Sequence, residues 1–186
     1  MTNAELKADL AKLSACREAV VWLGERDLAT AWAECERADF MLWYAAKRCD
    51  RKAVVLAACA CARTALKYIP EGEERPRLAI ETAEAWTRGE ATIEQVRAAA
   101  DAAYAYAYDA AAAAYAYASA AAASAAADDR AYGDAARDAA AAAAYADAAA
   151  AYAAYASYAA DNRDKALAEM ADIVRGIITV EMLEAK

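Results

Sequence analysis

The chain has 186 residues, a formal net charge of -8 and no histidine, a length that allows one domain or a small pair. The acidic balance argues against a phosphate backbone as main partner, because such binding needs clustered Lys and Arg to displace counterions. The lack of histidine removes the commonest general base and the commonest metal ligand near neutral pH.

The N-terminal residues Met1 to Glu5 show no basic stretch followed by an apolar run, so no signal peptide is expected and a cytoplasmic location is. The first helix is expected over Ala4 to Leu13, where Leu6, Leu10 and Leu13 fall on one stripe. Ser14 is placed to cap a second helix through Val20, Val21 and Trp22, which stops at Gly24. Asp27 caps a third through Leu28, Ala31, Trp32 and Cys35. Asp39 starts Phe40 to Ala46, and Asp50 starts Val54 to Tyr68, which Pro70 and Gly72 end. Pro76 suits a first turn, and Gly89 suits the stop after Trp86. Thr92 and Gln95 match the T-x-x-Q capping box of the next helix.

That helix enters a different alphabet. Residues 98–160 use mainly Ala, Tyr, Asp and Ser and contain no Leu, Ile, Val, Met, Phe or Trp. Alanine is the strongest helix former, so low complexity here reads as helix rather than disorder. Two long helices are expected, over 92–127 and 134–160, with a break at Asp128 to Gly133. They would span roughly 50 and 40 Å. Tyr104, Tyr108 and Tyr115 share one stripe, and Tyr106 and Tyr117 lie on the opposite face. Tyr145, Tyr152, Tyr155 and Tyr158 run around the second cylinder. The expected packing is an antiparallel hairpin, alanines at the seam and tyrosines at its edges. The alternative is a tyrosine ladder for flat ligands; seven Asp against two Arg in this stretch weigh against nucleic acid. The longest Asp-free piece, Ala110 to Ala127, lacks large aliphatic residues, so no membrane span is expected.

A last helix is expected over Asp164 to Arg175 with Gly176 as stop. Ile177, Ile178, Val180, Met182 and Leu183 then form an apolar tail that docks on the domain, adds a short helix or drives self-association. The fold class is all-α: a multi-helix N-terminal bundle over 1–97, an Ala/Tyr-rich helical hairpin over 98–160, and a C-terminal helix and tail over 161–186, joined as one continuous unit.

The five cysteines Cys16, Cys35, Cys49, Cys59 and Cys61 are odd in number and form no CxxC pair. They read as reduced, buried thiols, with Cys59 and Cys61 pointing in different directions. No metal and no cofactor is expected. Carboxylates are the remaining catalytic candidates, in Glu34, Glu36 and Asp39 and in the run Glu71, Glu73 and Glu74; helix capping and solvation account for both sets more simply. There is no glycine-rich phosphate loop, no HExxH and no calcium-loop pattern. The chemistry favours binding over catalysis.

The densest constellation runs from Glu34 to Trp43 and places Arg37 and Asp39 among aromatics. It reads as an ion pair that fixes helix geometry or as a partner-facing hot spot rich in Trp and Arg. Glu34, Arg37, Asp39, Trp43 and Trp86 are the candidate partner-binding residues. Arg63, Arg75 and Arg77 are placed to pair with Glu81 or Glu84.

Several segments resemble the Imm-5-like immunity proteins of bacteria and their phages. They are Ala15 to Ala19, Ala31-Trp32 through Trp43, Val54 to Arg63, Ala79 to Glu90, the Ala-Tyr-Asp tract, and Ala171 to Arg175. The resemblance implies neutralisation of a toxin or defence effector by direct binding. Two alternatives from other classes stand beside it: an oligomeric sponge for a small nucleotide, and a self-assembling helical protein.

Overall fold

A computed structural model describes residues 1–109, residue 122 and residues 159–185. Among them are nine α-helices, one short 3-10 turn and no strand. The class is therefore all-α, as the periodicities indicate. The hairpin arrangement of 98–160, the break at 128–133, and the tyrosines at 108, 115, 117, 145, 152, 155 and 158 lie outside the residues whose packing is described.

Helix α1 spans Asn3–Lys12. Thr2 caps it in a reciprocal box with Glu5: the Glu5 amide donates to the Thr2 hydroxyl, and the Thr2 amide donates to the Glu5 carboxylate at 2.8 Å. Helix α2 spans Arg17–Leu23, and Gly24 at φ 55° lets the chain turn sharply after it. Ser14 does not cap α2. It sits at φ 57° in the connection, and Cys16 occupies the N-cap position without a side-chain cap bond. The backbone has to reverse at Ser14, which spends the capping residue on the turn.

Asp27 caps α3, Leu28–Glu34, by accepting from the Thr30 amide at 2.8 Å. Helix α4, Ala38–Arg48, begins at Ala38, so Asp39 lies inside its first turn rather than at its cap. Asp50 caps α5, Arg51–Arg63. Leu66–Tyr68 forms a separate 3-10 turn and does not extend α5. Helix α6, Arg75–Arg88, carries Pro76 in its first turn and ends at Gly89, φ 80°. The Thr92–Gln95 box forms, with the Thr92 amide donating to Gln95 Oε1 at 2.8 Å, and opens α7, Ile93–Asp109. Helix α8 spans Ala159–Ile177; Gly176 lies within its last turn and is not its stop. The tail forms α9, Val180–Glu184.

Helix α5 is central and packs against α4, α6 and α8. Val54, Val55, Ala57, Ala58, Cys59, Cys61 and Ala62 are fully buried. Small residues on several sides let three helices pack against one backbone. Cys59 faces the Ile80 carbonyl on α6, and Cys61 faces the Met170 carbonyl on α8, so the two thiols do diverge. Helix α7 packs on α6 through Val96, Ala100 and Ala103. Tyr106 is buried at its far end with the Arg75 guanidinium 4.8 Å above the ring.

The apolar tail docks. Ile178 and Leu183 are fully buried, and α9 lies on α3 and α4. Two contacts hold α8 and α9 to α3. The Trp32 indole donates to the Ile178 carbonyl at 3.0 Å, and Arg175 donates to the carbonyls of Trp32 at 3.1 Å and Cys35 at 2.8 Å. Arg175 thus covers the C-terminal carbonyls that α3 cannot satisfy internally. The Met1 ammonium also pairs with Glu184, tying the tail to the start of α1.

Candidate functional site

Helices α1 to α4 do not close completely on one another. They leave a cavity of about 230 Å³, bounded by Leu6 and Leu10 of α1, Trp22 of α2, Trp32 of α3 and Trp43 of α4. Phe40, Met41 and Tyr44 complete the α4 wall, and Ser14 and Cys16 reach it from the α1–α2 connection. Each helix contributes because its apolar stripe faces this point: Leu6 and Leu10 are four apart, as are Phe40 and Tyr44.

Three polar groups of the wall are engaged. Trp32 Nε1 is held by Ile178. The Tyr44 hydroxyl donates to Asp9 Oδ2 at 3.0 Å, and Asp9 also pairs with Arg48. Burial, with the Asp9 carboxylate as second cause, pushes the Tyr44 phenol up to about 12. The Cys35 thiol contacts the Arg37 carbonyl at 3.6 Å, and burial raises its pKa. No charged side chain is among the described lining residues.

Charges ring the cavity instead. Arg37 grips Asp39 with two hydrogen bonds, at 2.9 and 2.8 Å, and reaches Glu18 on α2 at 2.9 Å. Asp39 is only 7% exposed. The hydrogen bond to Asp39 is the main reason the Arg37 pKa is raised further. The Arg37 guanidinium also lies 4.0 Å from the centre of the Phe40 ring. Arg26 repeats the pattern: it pairs with Glu34 at 2.7 Å, donates to the Trp22 carbonyl at 2.8 Å and stacks on the Trp22 ring at 4.7 Å. Lys47 lies 5.8 Å from the Trp43 ring. Three neighbouring aromatics therefore each carry a cation.

Of the residues singled out from the sequence, Glu34, Arg37, Asp39 and Trp43 come together here. Trp86 does not. It sits on α6 beneath Arg51 of α5, 5.6 Å from the ring centre. Glu18, Trp22, Arg26 and Phe40 belong to the site but were not singled out. Gly24 ends α2 between Trp22 and Arg26, so no helical spacing signals that pair. The Glu18–Arg37 pair, 19 residues apart, leaves no signal either.

Four of the six candidate carboxylates pair with guanidinium groups: Glu73 with Arg75 at 2.7 Å, Glu74 with Arg77 at 3.3 Å, and Glu34 and Asp39 as above. Arg63 pairs with Glu84 at 2.6 Å, as its position suggests, whereas Arg75 and Arg77 pair with Glu73 and Glu74 just before α6. Four cysteines are buried, but Cys16 is exposed, because it lies at the start of a helix whose outer face meets solvent. Among the described residues, no three His, Cys, Asp or Glu side chains gather as a metal ion would need. No described helix is long and apolar enough to cross a membrane. No protein-family model, curated protein or solved structure matches the chain.

Proposed function

We propose that this protein acts by non-catalytic binding to a toxin or defence effector, as an immunity or counter-defence protein, and that the α2–α4 corner is its contact face. The observation that carries the reading is the group of Trp22, Phe40 and Trp43, each partly buried and each under a cation. Trp and Arg dominate binding hot spots, where a large rigid ring and a planar cation bury area at low conformational cost. Val21, 71% exposed, stands beside Trp22 and extends the apolar surface. Carboxylates at Glu18 and Glu34 add a polar rim suited to a basic partner.

The sponge alternative draws less support from this site, since the cavity wall carries no cation to meet a phosphate. The self-assembly alternative loses its tail surface, because Ile178 and Leu183 are spent in the core.

The test is co-expression with each toxin encoded near the gene. Growth should return with the wild-type chain and fail with Val21→Asp, a change at an exposed position that spares the fold. No rescue from any neighbouring toxin, or full rescue by Val21→Asp, would sink the reading.

A further inference from the structure

We propose that the α1–α4 cavity is a binding site for an uncharged aromatic small molecule of about two fused rings, a role that goes beyond the proposed protein-partner surface while sharing Trp22, Phe40 and Trp43 with it. Protein interiors pack densely and keep few voids larger than a water molecule. The space between α1 and α4 is instead a pocket of about 230 Å³, partly open to solvent and lined mainly by apolar side chains. Apolar cavities of about 150 Å³ stay dry and take benzene. The larger space here accommodates a bicyclic ring system.

The wall specifies the chemistry. Indole, phenyl and phenol rings from Trp22, Trp32, Trp43, Phe40 and Tyr44 present faces and edges for stacked or edge-to-face contact. The Trp32 indole N–H and the Tyr44 hydroxyl are already hydrogen-bonded elsewhere, so the wall offers them chiefly as ring surface. A charged ligand would lose its hydration against a wall that supplies no opposite charge. The Ser14 hydroxyl and the Cys16 thiol, both on the α1–α2 connection, are polar groups at the wall that can orient a neutral ligand. The Glu18–Arg37 bridge ties α2 to α4 beside the cavity: Ala19, next to Glu18, and Phe40, under Arg37, both line it. The bridge thus links the two walls at one edge of the cavity.

Cys16 makes the test direct, since it lines the cavity while the other four thiols are buried. Indole is the probe and benzoate the charged control. Calorimetry should show saturable indole binding with Kd below about 1 mM and none for benzoate. At about ten times Kd, modification of Cys16 by a thiol reagent should slow about tenfold. Ala19→Phe and, separately, Cys16→Trp should fill the cavity and abolish the calorimetric signal with helicity unchanged. Leu78→Ala, on the exposed face of α6, should leave it intact. Absence of saturable indole binding, equal binding of benzoate, or undiminished binding in a folded Ala19→Phe or Cys16→Trp protein would overturn the proposal. Toxin rescue is read separately, so either proposal can fail without the other.

Discussion

Replacing Arg175 with Met isolates the latch between the C-terminal helix and α3. Met keeps much of the apolar stem and removes the guanidinium. The Arg175 side chain is 24% exposed, and it donates to two α3 carbonyls and to Asp172 at 2.6 Å. Asp172 is 78% exposed, so that ion pair contributes little, within about 0.5 kcal/mol. The carbonyl bonds matter more, because Trp32 and Cys35 are buried and their oxygens face the docked tail. Each lost bond costs about 1 kcal/mol, and partial loss of compensation at the α3 terminus adds to this. The expected total is about 2–3 kcal/mol. In a chain of this size that lowers Tm by about 4–12 °C. Guanidinium and thermal unfolding followed by helical circular dichroism would measure it, with Asp172→Asn as the companion. An Arg175→Met protein that loses no more stability than Asp172→Asn would refute this latch, for then it is only a surface ion pair.

Leu183→Ala should destabilise by about 2–4 kcal/mol, because Leu183 is fully buried on α3 and α4 and truncation leaves a void; denaturant unfolding checks this. Asp39→Asn should cost about 1–2 kcal/mol, discounted for the part-exposed Arg37, and the same unfolding assay reads it. Alkaline conditions should unfold the protein. The buried Cys61 thiol is pushed up to about 12 by burial and Tyr44 to about 12, while the thiol of Cys59 is also raised, mainly by burial. These groups stay protonated in the folded state while the unfolded chain ionises, so their stabilisation is whole below about pH 9 and drains as pH rises toward 12. A pH series of denaturation midpoints should fall across that window, and a flat series would contradict the assigned burial.

Local chemistry made most helices legible. Asp27, Asp50 and the Thr92–Gln95 pair cap as their side chains and spacing indicate, because capping is settled within one turn. Pro76 and Gly89 bracket α6 for the same reason. Ser14 and Gly176 departed from their local signals. Ser14 took a left-handed turn to reverse the chain, and α8 ran through Gly176, whose helical neighbours are held by Arg175 and Ile178 docking on α3. Glycine in a helix costs only about 1 kcal/mol, which tertiary contacts outweigh.

The same division runs through the site. The short-range sequence from Glu34 to Trp43 determined that Arg37 would meet Asp39 among aromatics, since two residues' separation suffices. Composition also determined an all-α chain without histidine. Only the tertiary structure decided that Glu18 and Arg26 join that cluster, that Trp86 leaves it, and that Trp22, Trp32 and Trp43 surround one cavity. Such meetings depend on how helices far apart in sequence pack, and an apolar stripe records only that a face is buried, not against what.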